Sequence, residues 1–269
     1  MKWSKQAEEA IAKIPFFVRG RVKRRVEEEA KRSGNNEVTL ELVHQLKRRF
    51  LHNMDDEVKG YQLENCFGST GCPYRLMNTD KLKDKLEKFI SKRKLRSFLK
   101  ERVQGALKIH HEFRISISDC PNSCSRPQIA DIGLIAVSKP KVTDKGCNLC
   151  KLCQDACEED ALSFINDEKP FIDFDKCLNC ASCIKVCPTG TISASENGYK
   201  IIIGGKLGRH PQLAKEIPGI YSMEKTIKIV ETILDFYMEN NIKGERLGDI
   251  VNRVGMDVLI NKIEAKIKK

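Results

Sequence analysis

The sequence predicts an α+β fold, and three observations carry that expectation. Apolar residues recur at helical spacing near both ends of the 269-residue chain, and they alternate at strand spacing around 112–118 and 199–203. Between these stretches lie two runs of four cysteines each. Apolar residues make up 41% of the chain and the mean hydropathy is −0.41, which excludes a mostly disordered protein. Apolar runs such as Ile132 to Val137 are too short to cross a bilayer. The start, Met1-Lys2-Trp3-Ser4-Lys5, enters a charged amphipathic pattern with no apolar signal region, so a cytoplasmic protein without a membrane partner is expected.

Residues 3–52 read as three helices. Phe16, Phe17, Val22, Val26 and Ala30 form a stripe after Pro15, and Leu40, Val43, Leu46 and Phe50 form another after the expected N-cap Thr39. Thr79 to Val103 reads as one lysine-rich helix, with Leu82, Leu86, Phe89, Ile90 and Leu99 inward and Lys83, Lys85, Lys88 and Lys92 as a solvated face. Glu112 to Ser118 alternates as a strand. Ala161 to Ile165 and Pro170 to Asp173 read as short strands joined by a turn at Asn166-Asp167, and Thr191 to Ser193 pairs back after them. Tyr199 to Ile203 is a strand entering the loop Gly204-Gly205-Lys206-Leu207-Gly208-Arg209-His210. Ser222 to Asn240 and Glu245 to Lys268 read as packing helices, the first with Met223, Ile227, Val230, Leu234 and Tyr237 on one face.

The net charge is +11, from 48 basic and 37 acidic residues, and residues 1–110 hold 26 of the basic and 15 of the acidic ones. The whole excess therefore sits in the first part of the chain. Nucleic acid, an anionic substrate and an anionic cofactor all fit that sign. Nucleic acid is set aside, because the basic stretch carries little aromatic interleaving.

Twelve cysteines in a chain with no export signal favour metal ligation over disulfides. Cys147-x2-Cys150-x2-Cys153-x3-Cys157 is followed, thirty residues on, by Cys177-x2-Cys180-x2-Cys183-x3-Cys187-Pro188. The competing ligand, zinc, has no need of a third cysteine at x2 and a fourth at x3. The stretch from Pro140 to Ser195 resembles a bacterial-type ferredoxin domain. By the rule of two-cluster ferredoxins, Cys147, Cys150, Cys153 and Cys187 hold one [4Fe-4S] cluster, and Cys177, Cys180, Cys183 and Cys157 hold the other.

Four cysteines remain: Cys66-x5-Cys72 and Cys120-x3-Cys124. Alone, each pair reads as buried structural cysteine. In context, Cys120-Pro121-Asn122-Ser123-Cys124, followed after six residues by Asp131-Ile132-Gly133-Leu134, resembles the signature of the sirohaem-containing nitrite and sulfite reductases. The resemblance implies a third [4Fe-4S] cluster on these four cysteines, with the Cys124 sulfur bridging to the sirohaem iron. It also implies cofactor contacts at Gly68, Thr70 and Asn122. The family usually has glycine where this chain has Asp119. Arg114 fits a basic position over the open iron face, with His110 and His111 as proton donors; a solvated strand end is the other reading of these residues.

The loop from Gly204 to His210 resembles a sirohaem-contacting loop of dissimilatory sulfite reductases, which implies that Lys206, Arg209 and amides freed by Gly204 and Gly205 meet the cofactor's carboxylates. Trp3 and Ile14 to Gly20 belong to a stretch that resembles the small helical domain at the C-terminus of a subunit of light-independent protochlorophyllide reductase. A plain three-helix core is the preferred reading of its residues, with a tetrapyrrole or partner contact as the other.

The expected organisation is a small helical domain at 1–55, a sirohaem and cluster domain at 56–139 and 196–269, and a ferredoxin-like insert at 140–195. The resemblance implies six-electron reduction of sulfite to sulfide, with sirohaem and three clusters as cofactors. An external ferredoxin or flavoprotein subunit would be the electron donor. A homodimer or partner subunit would complete the site, since full-length relatives build it from two halves. Nitrite reduction to ammonium and a non-catalytic sirohaem or iron–sulfur electron-transfer subunit remain open.

Overall fold

The computed structural model describes residues 1–14, 16–165 and 168–268; the side chains of 16–18, 21, 25, 32, 49–57 and 69 are outside that description. The expectations for Pro15, for the Asn166-Asp167 turn and for the side chains of Phe16, Phe17 and Phe50 lie outside the described residues. Two compact units emerge, one of residues 1–58 with 106–108 and the other of 59–105 with 109–269.

In the first unit, β1 (Lys2–Trp3) pairs in parallel with β2 (Glu37–Val38), and α1 (Lys5–Ala12), α2 (Phe16–Arg32) and α3 (Leu40–Glu57) are the three expected helices. Ser4 caps α1 through the Ala7 amide, and Thr39 caps α3 through the Leu42 amide at 3.2 Å. Ala7, Ile11, Val26, Ala30, Val43 and Leu46 form the core, with Val22 packed against it. Trp3 packs there too. Its indole N–H donates to Glu27 at 2.8 Å, and the Lys23 ammonium lies 5.1 Å from the ring centre.

The second unit is built on a five-stranded sheet. Its strands are β3 (Tyr61–Asn65), β4 (Phe113–Ser118), β5 (Ile132–Val142), β8 (Ile192–Ile203) and β9 (Lys215–Tyr221), in that spatial order. β3, β4 and β5 run parallel, while β8 and β9 are antiparallel. Between β3 and β4 the chain forms α4 (Asp80–Ile90) and α5 (Leu95–Arg102), where one helix was expected. Lys94 is the reason: at φ 51 it is left-handed and cannot continue a helix. The apolar stripe survives the break, since Leu82, Leu86, Ile90 and Leu99 are all buried.

α6 (Leu152–Asp155), β6 (Leu162–Phe164), β7 (Pro170–Ile172) and α7 (Ser182–Val186) interrupt the long β5–β8 hairpin. Thr191 to Ser193 does pair back, and it does so on the outer end of β5, with Ile192 opposite Val142. After β9 come α8 (Met223–Asn240), α9 (Leu247–Val254) and α10 (Met256–Ile267). The last two replace the single expected helix, because Gly255 at φ 108 separates them. Ser222 caps α8, which buries Ile229, Ile233 and Phe236 as well as the expected Val230, Leu234 and Tyr237. Phe113 of β4 stacks on Tyr237 at 4.7 Å, which fixes one face of the sheet against the helices.

Candidate metal centre and anion pocket

Both cysteine runs of the insert adopt the same unusual backbone. Leu149 and Lys151 in the first run, and Asn179 and Ala181 in the second, are left-handed at the same offset of thirty residues. In each run the second left-handed residue leads directly into a one-turn helix, α6 or α7. Backbone amides are thereby aimed at sulfur. Leu149 N donates to Cys147 Sγ at 3.4 Å, Ala161 N to Cys157 Sγ at 3.3 Å, and Ile192 N to Cys187 Sγ at 3.4 Å.

The sulfurs fall into two mixed groups. Burial pushes the Cys153 thiol up; amide hydrogen bonds offset part of this, and the Cys187 and Cys147 sulfurs push it further. Cys183 is pushed up to about 12, first by burial and then by Cys177, Cys180 and Cys157. Cys187 of the second run thus lies with Cys153 and Cys147 of the first, and Cys157 of the first run lies with Cys183, Cys177 and Cys180 of the second. At Cys187 burial raises the thiol, but the Ile192 amide and Thr189 outweigh it, leaving its pKa lowered.

The dispersed four also converge. Burial pushes the Cys120 thiol up, the Asn122 amide offsets part of this, and the sulfurs of Cys124, Cys72 and Cys66 raise it again. The parallel pairing of β3 with β4 explains the meeting, because Cys66 and Cys120 follow the same ends of adjacent strands. Cys66 N donates to Ile117 O at 3.0 Å, and Asp119 N donates to Cys66 Sγ at 3.3 Å. Cys124 is exposed and Cys120 is buried. Among the described residues, no three His, Cys, Asp or Glu side chains converge as ligands of a single metal ion. A cubane cluster asks for a different arrangement, four sulfurs each on its own iron at the corners of a cage.

The second cysteine group of the insert lies next to this cradle. Lys185 of α7 donates to Pro73 O at 3.4 Å, immediately after Cys72, and Cys180 bridges to Ser138 on β5. Burial pushes the Cys177 thiol up, and the Asn179 amide and Lys200 of β8 offset only part of this, while Tyr199, next to Lys200 and raised first by burial, also feels Asp119.

Downstream of Cys124 the chain folds back over β4. Ser116 Oγ donates to Ser125 O at 2.7 Å, and Ser125 Oγ donates to Ile117 O at 2.8 Å. Arg126 then stands at φ 58, before the one-turn segment Pro127–Ile129. This return closes a cavity of about 120 Å³ lined by Arg114, Arg126, Gln62, Ser116, Ser125 and Leu207, with Glu64 also in its wall. The Arg114 Nε is buried without a hydrogen-bond partner. Arg126 was missed in the sequence, where only its place two residues after Cys124 pointed to it.

Several expected contacts are redirected. Gly68 does not open the backbone to a ligand: a Cβ there would collide with the Asp119 carboxylate. Thr70 turns its hydroxyl to Phe67 O at 2.6 Å. Asn122 contributes its amide to Cys120, and its residue is exposed. Lys206 is only 8% exposed, and its ammonium is paired with Asp249. The Gly204 amide donates to Asp131 O at 2.9 Å and the Lys206 amide to Gln212 O at 2.9 Å, so neither is available to an anion. Gly205 is packed on backbone, where a Cβ would strike Gln128 O. Arg209 is exposed. His110 and His111 meet edge to face, with ring centres 4.2 Å apart, in a turn before β4, at the end of the strand away from Cys120. A six-residue strand spans about 20 Å, so the fold does not bring them to Cys124. Glu112 is buried before β4 begins, accepting from Gly60 N at 3.0 Å and Gln62 Nε2 at 2.7 Å.

A family model for the proto-chlorophyllide reductase 57 kD subunit matches residues 3–47. The coenzyme F420-dependent sulfite reductase of Methanocaldococcus jannaschii is 31% identical over 161 residues, covering 59% of this chain and 26% of that protein. The beta subunit of a dissimilatory-type sulfite reductase from Archaeoglobus fulgidus is 30% identical over 159 residues, covering 54% of this chain and 43% of that protein. The chain therefore spans less than half the length of these relatives. A crystal structure of dissimilatory sulfite reductase I shares the fold, with a TM-score of 0.51 at 18% identity over 75% of this chain and 51% of that one. A model described as the nitrite and sulphite reductase 4Fe-4S domain matches residues 61–269, most of the chain, and the protein belongs to that family.

Proposed function

We propose that this chain is an iron–sulfur and sirohaem subunit that reduces sulfite to sulfide, a conversion that takes six electrons and six protons and releases three waters. The observation that carries the reading is the convergence of Cys66, Cys72, Cys120 and Cys124 beside a cavity holding two arginines. The donor set suits the implied groups. Four thiols that share one neighbourhood fit a [4Fe-4S] cluster, and the unpartnered Arg114 nitrogen fits a small oxyanion or a cofactor carboxylate. When bound, the clusters supply single electrons and sirohaem supplies an iron able to hold the anion.

The protein's own part is then electrostatic and spatial. Arg114 and Arg126 attract and orient negative charge next to Cys124, and they stabilise charge that develops on departing oxygens. Glu64, in the same wall, keeps the cavity from being uniformly cationic. The insert, 140–195, acts as the relay, its second cysteine group standing nearer to the cradle and its first, with exposed Cys150, facing an external donor such as a ferredoxin or flavoprotein subunit. Residues 1–55 form a separate helical domain, and 56–139 with 196–269 form the reductase half. A second copy or a partner subunit completes the substrate face, in keeping with relatives that are named as subunits of dissimilatory-type sulfite reductases. Among the described residues no helix is long and apolar enough to cross a membrane.

The test is the absorption spectrum and iron content of anaerobically purified protein, before and after sulfite is added to the reduced form. About thirteen irons per chain, from three four-iron clusters and one haem iron, with tetrapyrrole bands that shift on sulfite, is the expected result. About eight irons and no tetrapyrrole band would reduce the chain to an electron carrier. A shift and turnover with nitrite in place of sulfite would reassign the substrate.

A further inference from the structure

Asp119 is 1% exposed and lies between the two cysteine pairs. Each of its polar groups reaches across to the Cys66–Cys72 side. Its amide donates to Cys66 Sγ at 3.3 Å, and its carbonyl accepts from Leu76 N at 3.0 Å. One carboxylate oxygen accepts from Thr79 Oγ1 at 2.5 Å, and the other lies 3.1 Å from Arg75 Nε. That second oxygen occupies the space a side chain at residue 68 would fill, and it has no well-aligned hydrogen bond of its own. Arg75 is likewise committed: it donates to Met77 O at 3.3 Å while its Nη2 is buried without a hydrogen bond. The Asp119 carboxylate is thus enclosed directly behind a sulfur ligand, and it pairs with a guanidinium that is a quarter exposed and whose Nη2 also lies 3.8 Å from the half-exposed Asp80 Oδ2.

We infer that Asp119, with Arg75 as its counter-ion, is a positioning residue that clamps the Cys66–Cys72 loop onto Cys120 and sets the electrostatic environment of the metal group those loops hold; this rests on the cluster reading proposed above. The physical basis is the distance. A formal charge this close to a ligand, screened by little water, acts on an added electron far more strongly than a surface charge does. Hydrogen bonds and charges just behind the ligands are the protein's means of tuning an iron–sulfur potential.

The pair makes two predictions of opposite sign. Asp119→Asn keeps the shape and removes the negative charge, so the midpoint potential of the third cluster rises. Arg75→Gln removes the positive charge and lowers it, while Arg75→Lys restores the wild-type value. The two potentials of the insert stay where they are in all three variants. Redox titration of the full, anaerobically purified chain, followed by electron paramagnetic resonance with iron counted for every variant, reads all of this. Third-cluster potentials that do not move in opposite directions, with wild-type iron retained, would overturn the inference. A wild-type chain with only about eight irons would instead overturn the cluster reading, and the inference would fall with it. If Asp119→Asn loses the third cluster, Arg75→Gln decides: a downward shift there supports the inference, and an unmoved potential overturns it.

Discussion

Arg246 grips Asp131 with two nitrogens, Nε 3.0 Å from Oδ1 and Nη2 2.6 Å from Oδ2. The carboxylate also accepts from Arg114 N at 2.8 Å and Leu247 N at 3.2 Å. One buried side chain therefore joins the start of β4, the start of β5 and the first turn of α9, and it anchors the backbone of an arginine that lines the proposed anion cavity. Burial would lower the pKa of Arg246, but the charge and hydrogen bonds of Asp131 leave it raised.

Asp131→Ala is expected to cost about 3–5 kcal/mol, because it strands a buried guanidinium. Differential scanning calorimetry under anaerobic conditions checks this. A loss below about 1 kcal/mol would show that the pair behaves as a surface ion pair. Asp131 was legible only as part of the signature around the second cysteine pair; its structural task depends on Arg246, 115 residues away.

The two cavity arginines should separate from Lys206. Arg114→Gln and Arg126→Gln each remove a charge-assisted hydrogen-bond donor worth about 1.5–3 kcal/mol, so the sulfite concentration giving half of the spectral shift should rise about tenfold or more. Lys206→Met should leave that concentration unchanged and lower the melting temperature, since the Lys206 charge is already used by Asp249. Equal effects from all three would refute the assignment of the cavity as the anion site.

Gly68→Ala should release the third cluster. The new methyl group collides with the Asp119 carboxylate, which is held from the far side by Thr79 and Arg75 and has little room to retreat. Iron should fall by about four per chain, with the insert's clusters intact. Gly71→Ala tests the same loop where nothing lies within 4 Å, although its φ of 107 carries its own strain. Full iron retention in Gly68→Ala would mean that the loop shifts freely and that Asp119 clamps nothing.

Local chemistry made much of this fold readable. The cap at Thr39 and the stripe from Leu82 to Leu99 depend on neighbours within a few residues, and both are present. The thirty-residue repeat of the cysteine runs is also a local pattern, and it reappears as matched left-handed residues. What escaped were features set by distant partners or by a single dihedral. The left-handed turn at Lys94 has no glycine or proline to announce it. Lys206 looked free until Asp249 was brought beside it, and the histidine pair looked useful until β4 separated it from Cys124. Arg126 escaped for the converse reason, since only the backward fold of residues 123–130 makes it a neighbour of Arg114.

Removing iron should unfold the insert and spare the sheet. The insert's buried core consists of Cys153, Leu162, Ile172, Cys183 and Ile192, so two of its five members are candidate metal ligands. So few apolar side chains cannot offset the entropy of ordering about fifty residues, and metal binding must supply the difference. The five-stranded sheet has its own support in the helices, with Phe113, Ile115, Ile117, Leu134 and Ile201 buried alongside Leu234 and Tyr237. Hydrogen exchange on chelated protein should show amides from 143 to 191 losing protection while those of β4, the inner part of β5 and α8 keep theirs. Protection lost everywhere at once would mean that the clusters hold the whole second unit together, and protection retained in the insert would mean that its fold does not need metal.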